Sequence, residues 1–253
     1  MNSTFWRAHA LWPIGLLLLA FVLIETLGLD RPIAHALYYN SAEQRWIGST
    51  GPGDRWTHDV IHDGGRWLAR AIGAVGLLTW LLTFIWPRVR PWRTTAGFIF
   101  LAIALSVGTV GLLKMLTNVD CPWDLAEFGG KNPYVPLFGD RPDYLKRAAC
   151  FPGAHAASGF ALVCFYFALR GRARRRAYWA LFAACFIGVV FSIGQEARGA
   201  HFLSHNVAAA GVVWIIQLAL YCWLLLPRDR LLEEEAGQRV AQHAGGEAAD
   251  NIP

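Results

Sequence analysis

The sequence predicts an all-α membrane protein, a bundle of six transmembrane helices. Two observations carry this. Of the 253 residues, 55% are apolar and 16% charged, against the ~25% charged typical of soluble domains. The apolar residues also fall in long blocks, such as Ala71–Trp86, Ala96–Leu113 and Val207–Leu226. A bilayer core of roughly 30 Å asks a helix for about 20 predominantly apolar residues. Such a composition excludes a disordered chain and an ordinary soluble enzyme.

Six spans fit, at 10–29, 67–86, 95–113, 155–170, 177–195 and 206–226. Each must be helical, because lipid offers no partners to unpaired backbone amides and carbonyls. The first follows Arg7 and is read as a retained helix, since Glu25, Asp30 and Arg31 come after it in place of a small-residue cleavage site. The second and third flank Arg88, Arg90 and Arg93, and the fourth and fifth flank Arg170, Arg172 and Arg174–Arg176. Short basic loops stay in the cytoplasm, so these arginines mark topology and not a nucleic-acid partner. Residues 227–253, with Glu233–Glu235 and Gly245–Gly246, read as a cytoplasmic, loosely ordered tail. The membrane domain is then 1–226.

The segments 30–66, 114–154 and 196–205 share the opposite, periplasmic face. Within the first, Thr57–Trp67, with His58, His62, Asp63 and Arg66, reads as a short surface helix, and Trp46, Trp56 and Trp67 as interface anchors. Cys164, Cys185 and Cys222 sit inside spans and read as small apolar residues. Cys121 and Cys150 lie in the second loop. In an oxidising compartment a disulfide there would contribute about 3–4 kcal/mol to loop order. A metal site is the weaker alternative, because zinc spacing is missing.

Ionisable groups at span ends are costly and mark function. Lys114 ends the third span, and His155 begins the fourth. Gln195, Glu196 and Arg198 end the fifth, and His201 and His205 precede the sixth. Threading puts all of them at one membrane face. Lys and Arg balance phosphate charge, one neutral His attacks phosphorus, and a protonated His donates to the leaving oxygen.

These residues resemble the type-2 phosphatidic-acid phosphatase superfamily, which includes the vanadium haloperoxidases. The family shows Lys, six residues, Arg-Pro; then Pro-Ser-Gly-His; then Ser-Arg, five residues, His, three residues, Asp. Lys114 with Cys121-Pro122 is similar to the first motif, Pro152-Gly153-Ala154-His155 to the second, and the run Arg198-Gly-Ala-His-Phe-Leu-Ser-His205 to the third. The local phrases resemble a bacterial inner-membrane branch. Cys121 replaces an Arg, and Gly153-Ala154 replace Ser-Gly.

The third motif aligns in two ways. One puts His201 at the nucleophile, His205 at the Asp and Gln195 at the Arg; the other matches Arg198 and makes His205 the nucleophile. The first is preferred, with Arg198 supplying the missing cation. The resemblance implies a lipid phosphatase or phosphotransferase of the bacterial inner membrane working without metal or cofactor. His201 would form a phosphohistidine, His155 act as acid and His205 orient the nucleophile. Lys114, Arg198 and the backbone of Gly153 and Ala154 would hold phosphate. Asp124, Glu127, Asp140 and Asp143 are candidate sources of the missing carboxylate. The implied partners are a phosphorylated lipid and the surrounding membrane lipids. The alternatives are a weakened relative that binds a phospholipid or partner without turnover, and, further off, an anion transporter.

Overall fold

The computed structural model describes residues 3–49, 57, 63–232, 234 and 238. Trp56, His58 and His62, the Arg66 side chain and most of the tail beyond 232 lie outside the described residues.

Among these residues, five helices are long and apolar enough to cross a membrane. They are α1 (Ser3–Thr26), α3 (Trp67–Ile85, the apolar part of a helix that starts at Gly65), α4 (Arg93–Thr117), α6 (Arg174–Ala197) and α7 (Leu203–Leu224). The fourth expected span is the shorter apolar helix α5 (Ala154–Leu169), which tightens into a 3₁₀ turn at Ala161–Val163. Most of α5 is buried inside the bundle, against α4, α6 and α7. Its partners enclose it, while α1, α3 and α6 turn large apolar side chains such as Leu18, Leu78 and Phe182 outward.

Small residues bring α5 and α6 together, as glycines do in membrane bundles. A Cβ on Gly159 would stand 2.8 Å from the Gly188 Cα, and one on Gly188 would stand 2.3 Å from the Phe160 ring.

Between α1 and α3 the chain forms α2 (Asp30–Leu37) and a minimal hairpin, β1 (Tyr39–Asn40) antiparallel to β2 (Arg45–Trp46), in the register Tyr39 to Trp46. Trp46 is no interface anchor. It is buried in an aromatic cluster with Tyr39, Phe128 and Phe202, where the hairpin closes over the loop after α4. Trp67 is exposed, as an interfacial residue would be.

The arginine-rich end is laced by polar contacts. His9 accepts from the Tyr166 hydroxyl (2.6 Å) and from Arg170 Nε (3.2 Å), while Arg170 Nη1 donates to Tyr221 (3.0 Å). Tyr221 donates to Asp229 (3.0 Å), and Arg228 donates to Thr95 (2.7 Å). The tail therefore begins as ordered helix, with residues 226–232 helical and Asp229 buried, because this network anchors it.

Candidate active site

Three helix ends and one turn meet around a cavity of about 570 Å³ at the end opposite the arginine loops. Lys114 enters from the last turn of α4 and His155 from the first turn of α5. Gln195 and Arg198 enter from the end of α6, and His201 from the turn before α7. His155, Gln195 and His201 are buried, whereas Lys114 and Arg198 are half-buried. Among the described residues the Gln195 amide nitrogen has no hydrogen-bond partner, although Gln195 lines the cavity. A buried donor of that kind costs about 1–3 kcal/mol until something accepts from it.

The turn carrying His201 needs glycine. Gly199 has φ +71°, and a Cβ there would fall 2.2 Å from the Trp46 ring. Its N–H donates to Glu196 O (2.9 Å), its carbonyl accepts from Trp123 N–H (2.9 Å), and Ala200 N–H donates to Gln195 O (2.9 Å). A disulfide joins Cys121 to Cys150 and places the Cys150 sulfur 3.5 Å from His201 Nδ1. The loop after α4 is thereby fastened to the wall of the cavity.

His201 Nδ1 lies 3.4 Å from His205 Nδ1. One ring must donate and the other accept, so two charged imidazoles are excluded at this contact. Burial, with His205, Lys114 and His155 adding to it, holds His201 well below the ordinary imidazole range. It is therefore neutral and keeps a lone pair.

His205 does not line the large cavity. It borders a second one of about 20 Å³, shared with Glu25, Asp30, Asp120, Tyr134 and Ser204. Asp30 Oδ1 accepts the Ser204 N–H (2.9 Å) and Oδ2 the Ser204 hydroxyl (2.5 Å), so α2 caps the first turn of α7. Burial pushes the Asp30 carboxyl up to about 6.

Below the polar end, Gly73 of α3 and Phe100, Ile103, Ala104, Val107 and Gly108 of α4 extend the large cavity as an apolar trough. Positions 100, 104, 107 and 108 recur at helical spacing, one stripe of α4 that ends at Lys114.

A family model described as the PAP2 superfamily matches residues 95–228, more than half of the chain. The chain belongs to the PAP2 superfamily. No curated protein and no solved structure matches it. The matched region runs from the start of α4 past the end of α7 and contains Lys114, His155, Arg198, His201 and His205. As a PAP2 protein the chain has a phosphatase-type fold and is a phosphoester hydrolase held in a membrane.

Against the PAP2 motifs, the structure gathers Lys114, His155, Arg198, His201, Ala154 and Cys121 around one cavity. Two expected roles change. Gly153 is outside the lining, and its N–H donates to His205 O (2.9 Å), so that amide is spent on joining α5 to α7. Glycine suits this site, because a Cβ would stand 2.5 Å from Asn206 Oδ1. The four acidic candidates are also engaged elsewhere or exposed. Glu127 accepts from Arg31 (2.7 Å), Asp124 from Cys121 N–H (3.3 Å), and Asp140 and Asp143 face outward.

Arg70, Ser158 and Asp30 were not among the residues expected at the site. Ser158 was legible, lying one helical turn after His155, and it donates to the His155 carbonyl (2.6 Å). Arg70 belongs to no motif, and Asp30 is brought to the neighbouring small cavity only by tertiary packing. Donor atoms of Cys150, His201 and His205 lie within 4.8 Å of one another. With Cys150 in a disulfide no thiolate is offered, and two imidazoles fall short of the usual three protein ligands of a zinc site.

Proposed function

We propose that the protein is an integral-membrane lipid phosphatase, or phosphotransferase, that acts on a phosphorylated lipid through a phosphohistidine. The observation that carries this reading is the two-part cavity, cationic and imidazole-lined at one end and apolar along the other. From Phe100 to Lys114 the α4 stripe runs about 21 Å at 1.5 Å per residue, a length suited to an acyl or prenyl chain.

In this reading Lys114 and Arg198 balance the charge of the head group, and the Gln195 amide donates to a phosphoryl oxygen. The His201 Nε2 lone pair attacks phosphorus while the bond to the lipid oxygen breaks. A protonated His155 gives its proton to that oxygen, then takes one from the water that cleaves the phosphorus–nitrogen bond. His205 fixes the His201 ring. The disulfide and the basic loops at the far end agree with a periplasmic site in a bacterial inner membrane.

Purified protein is assayed for phosphate release from a panel of lipid phosphates, with transfer products followed in parallel. His201→Ala is expected to abolish release, and His155→Ala to lower it by about 10²–10⁴-fold. Equal release by parent and variants overturns the assignment. A family member that binds a phospholipid without turnover is the second reading, favoured by Gln195 at the Arg position and His205 at the Asp position. Tight lipid-phosphate binding with no release would support it.

A further inference from the structure

The reading above leaves the imidazolium formed on His201 without a carboxylate beside it, since its Nδ1 meets another imidazole. The small cavity on the far side of His205 supplies what is missing. The geometry points to Asp30 as a positioning residue for the reaction, coupled to His201 through His205 and one water molecule held in the small cavity. This rests on the phosphohistidine reading and adds to it a three-member chain, imidazole to imidazole to carboxylate, in place of a direct pair.

Four observations converge. For Nε2 of His201 to attack, its Nδ1 must carry the hydrogen. It then donates to His205 Nδ1, beside the Cys150 backbone that both rings also approach, and His205 in this arrangement carries its hydrogen on Nε2. His205 borders the small cavity and not the large one. A volume of about 20 Å³ has room for one water, and its walls offer carboxylates, a hydroxyl and an imidazole as partners. Asp30 is tied by both oxygens to Ser204, the residue next to His205, so its charge is held in register with that ring.

The other acids of the cavity serve less well. Asp120 takes Arg141 on both oxygens and Asn132 besides, so its charge is compensated. Glu25 is only half-buried at the end of α1, and among the described residues it makes no hydrogen bond to the His205 turn. Among the described residues no cation pairs with buried Asp30.

As the phosphorus–nitrogen bond forms, positive charge develops on the His201 ring. Its Nδ1 hydrogen leans toward His205, whose Nε2–H leans through water on the Asp30 carboxylate. No proton is gained or lost, and dephosphorylation reverses the shift. The carboxylate must be ionised for this, which its value of about 6 allows at neutral pH.

The test is Asp30→Asn in the full chain in detergent micelles with a phosphatidate substrate. The variant keeps an oxygen for the Ser204 N–H. Its kcat is expected to fall on the order of 10–100-fold, as for other groups acting through a neighbour, with KM unchanged. The parent is expected to lose activity as pH falls through about 6, where Asp30 takes up its proton, and the variant's profile is expected to lack that step. His205→Asp puts a carboxylate directly against His201, and in that background Asp30→Asn should cost little. Unchanged kcat in Asp30→Asn, or equal losses in both backgrounds, overturns the proposal and leaves Asp30 a helix cap.

Imidazole nitrogen NMR on histidine-labelled protein decides the coupling without turnover. His205 should carry its hydrogen on Nε2, and Asp30→Asn should shift that resonance, whereas an unmoved signal sinks the relay. A parent without phosphate release but with the NMR coupling would refute the phosphatase reading instead.

Discussion

At the scale of single residues, burial sets the charge states on which the site depends, and Asp30 and His201 pull in opposite directions. The Asp30 carboxyl, ordinarily near 3.8, is pushed up to about 6 by burial. Folding therefore favours its protonated form, and its contribution to stability is complete below 3.8 and lost as pH rises through about 6. A gap of two units corresponds to about 3 kcal/mol. His201 is held below its ordinary value, so its contribution is present above about 6.5 and is lost as pH falls. Thermal unfolding of parent and Asp30→Asn across this range separates the two. The variant is expected to gain stability relative to the parent at pH 7 and to lose the advantage near pH 4. A difference that does not vary with pH would show that the carboxyl is not titrating in the folded protein.

Among the elements, the order of apolar runs and the basic loops between them were legible because periodicity and charge are local properties. The five long helices fall where those runs lie, and α5 coincides with the fourth. What was not legible came from packing between distant segments. Trp46 looks interfacial in its own loop, yet Phe128 and Phe202, far along the chain, bury it. The tail looks solvated until Asp229 meets Tyr221 and Arg228 meets Thr95. The α5–α6 contact is encoded in sequence only as two glycines, Gly159 and Gly188, with no sign that they face one another. Adding bulk there tests its importance: Gly188→Val would drive side-chain carbon into Phe160. The expected loss is about 1–3 kcal/mol of stability, typical of overpacking, with weaker phosphate release as His155 and Gln195 move apart. Wild-type melting and turnover would show that the two helices tolerate separation.

For the molecule as a whole, one cavity joins a polar vestibule to a trough running down the bundle, and the two parts were unequally legible. Lys114, His155, Arg198 and His201 stood out because charge at a span end is costly and therefore conspicuous. The trough did not, since Ala104 and Gly108 on a membrane helix look like any small residues in lipid. On the lipid-phosphatase reading its role is geometric more than energetic. A lipid tail leaving the bilayer for the trough exchanges one apolar surrounding for another, as lipid-facing helices do, and gains little from the hydrophobic effect. What it gains is a path that lets the head group reach His201 while the tail stays in an apolar setting. Ala104 is exposed to the trough, so Ala104→Trp fills that path without repacking the core. For a long-chain lipid phosphate, kcat/KM is expected to fall on the order of 100-fold, because the head group can no longer reach the attacking position. A short water-soluble phosphoester needs no trough and should be turned over as by the parent. Equal losses on both substrates would mean that the tryptophan disturbs the vestibule itself, and that lipid reaches the histidines by another way.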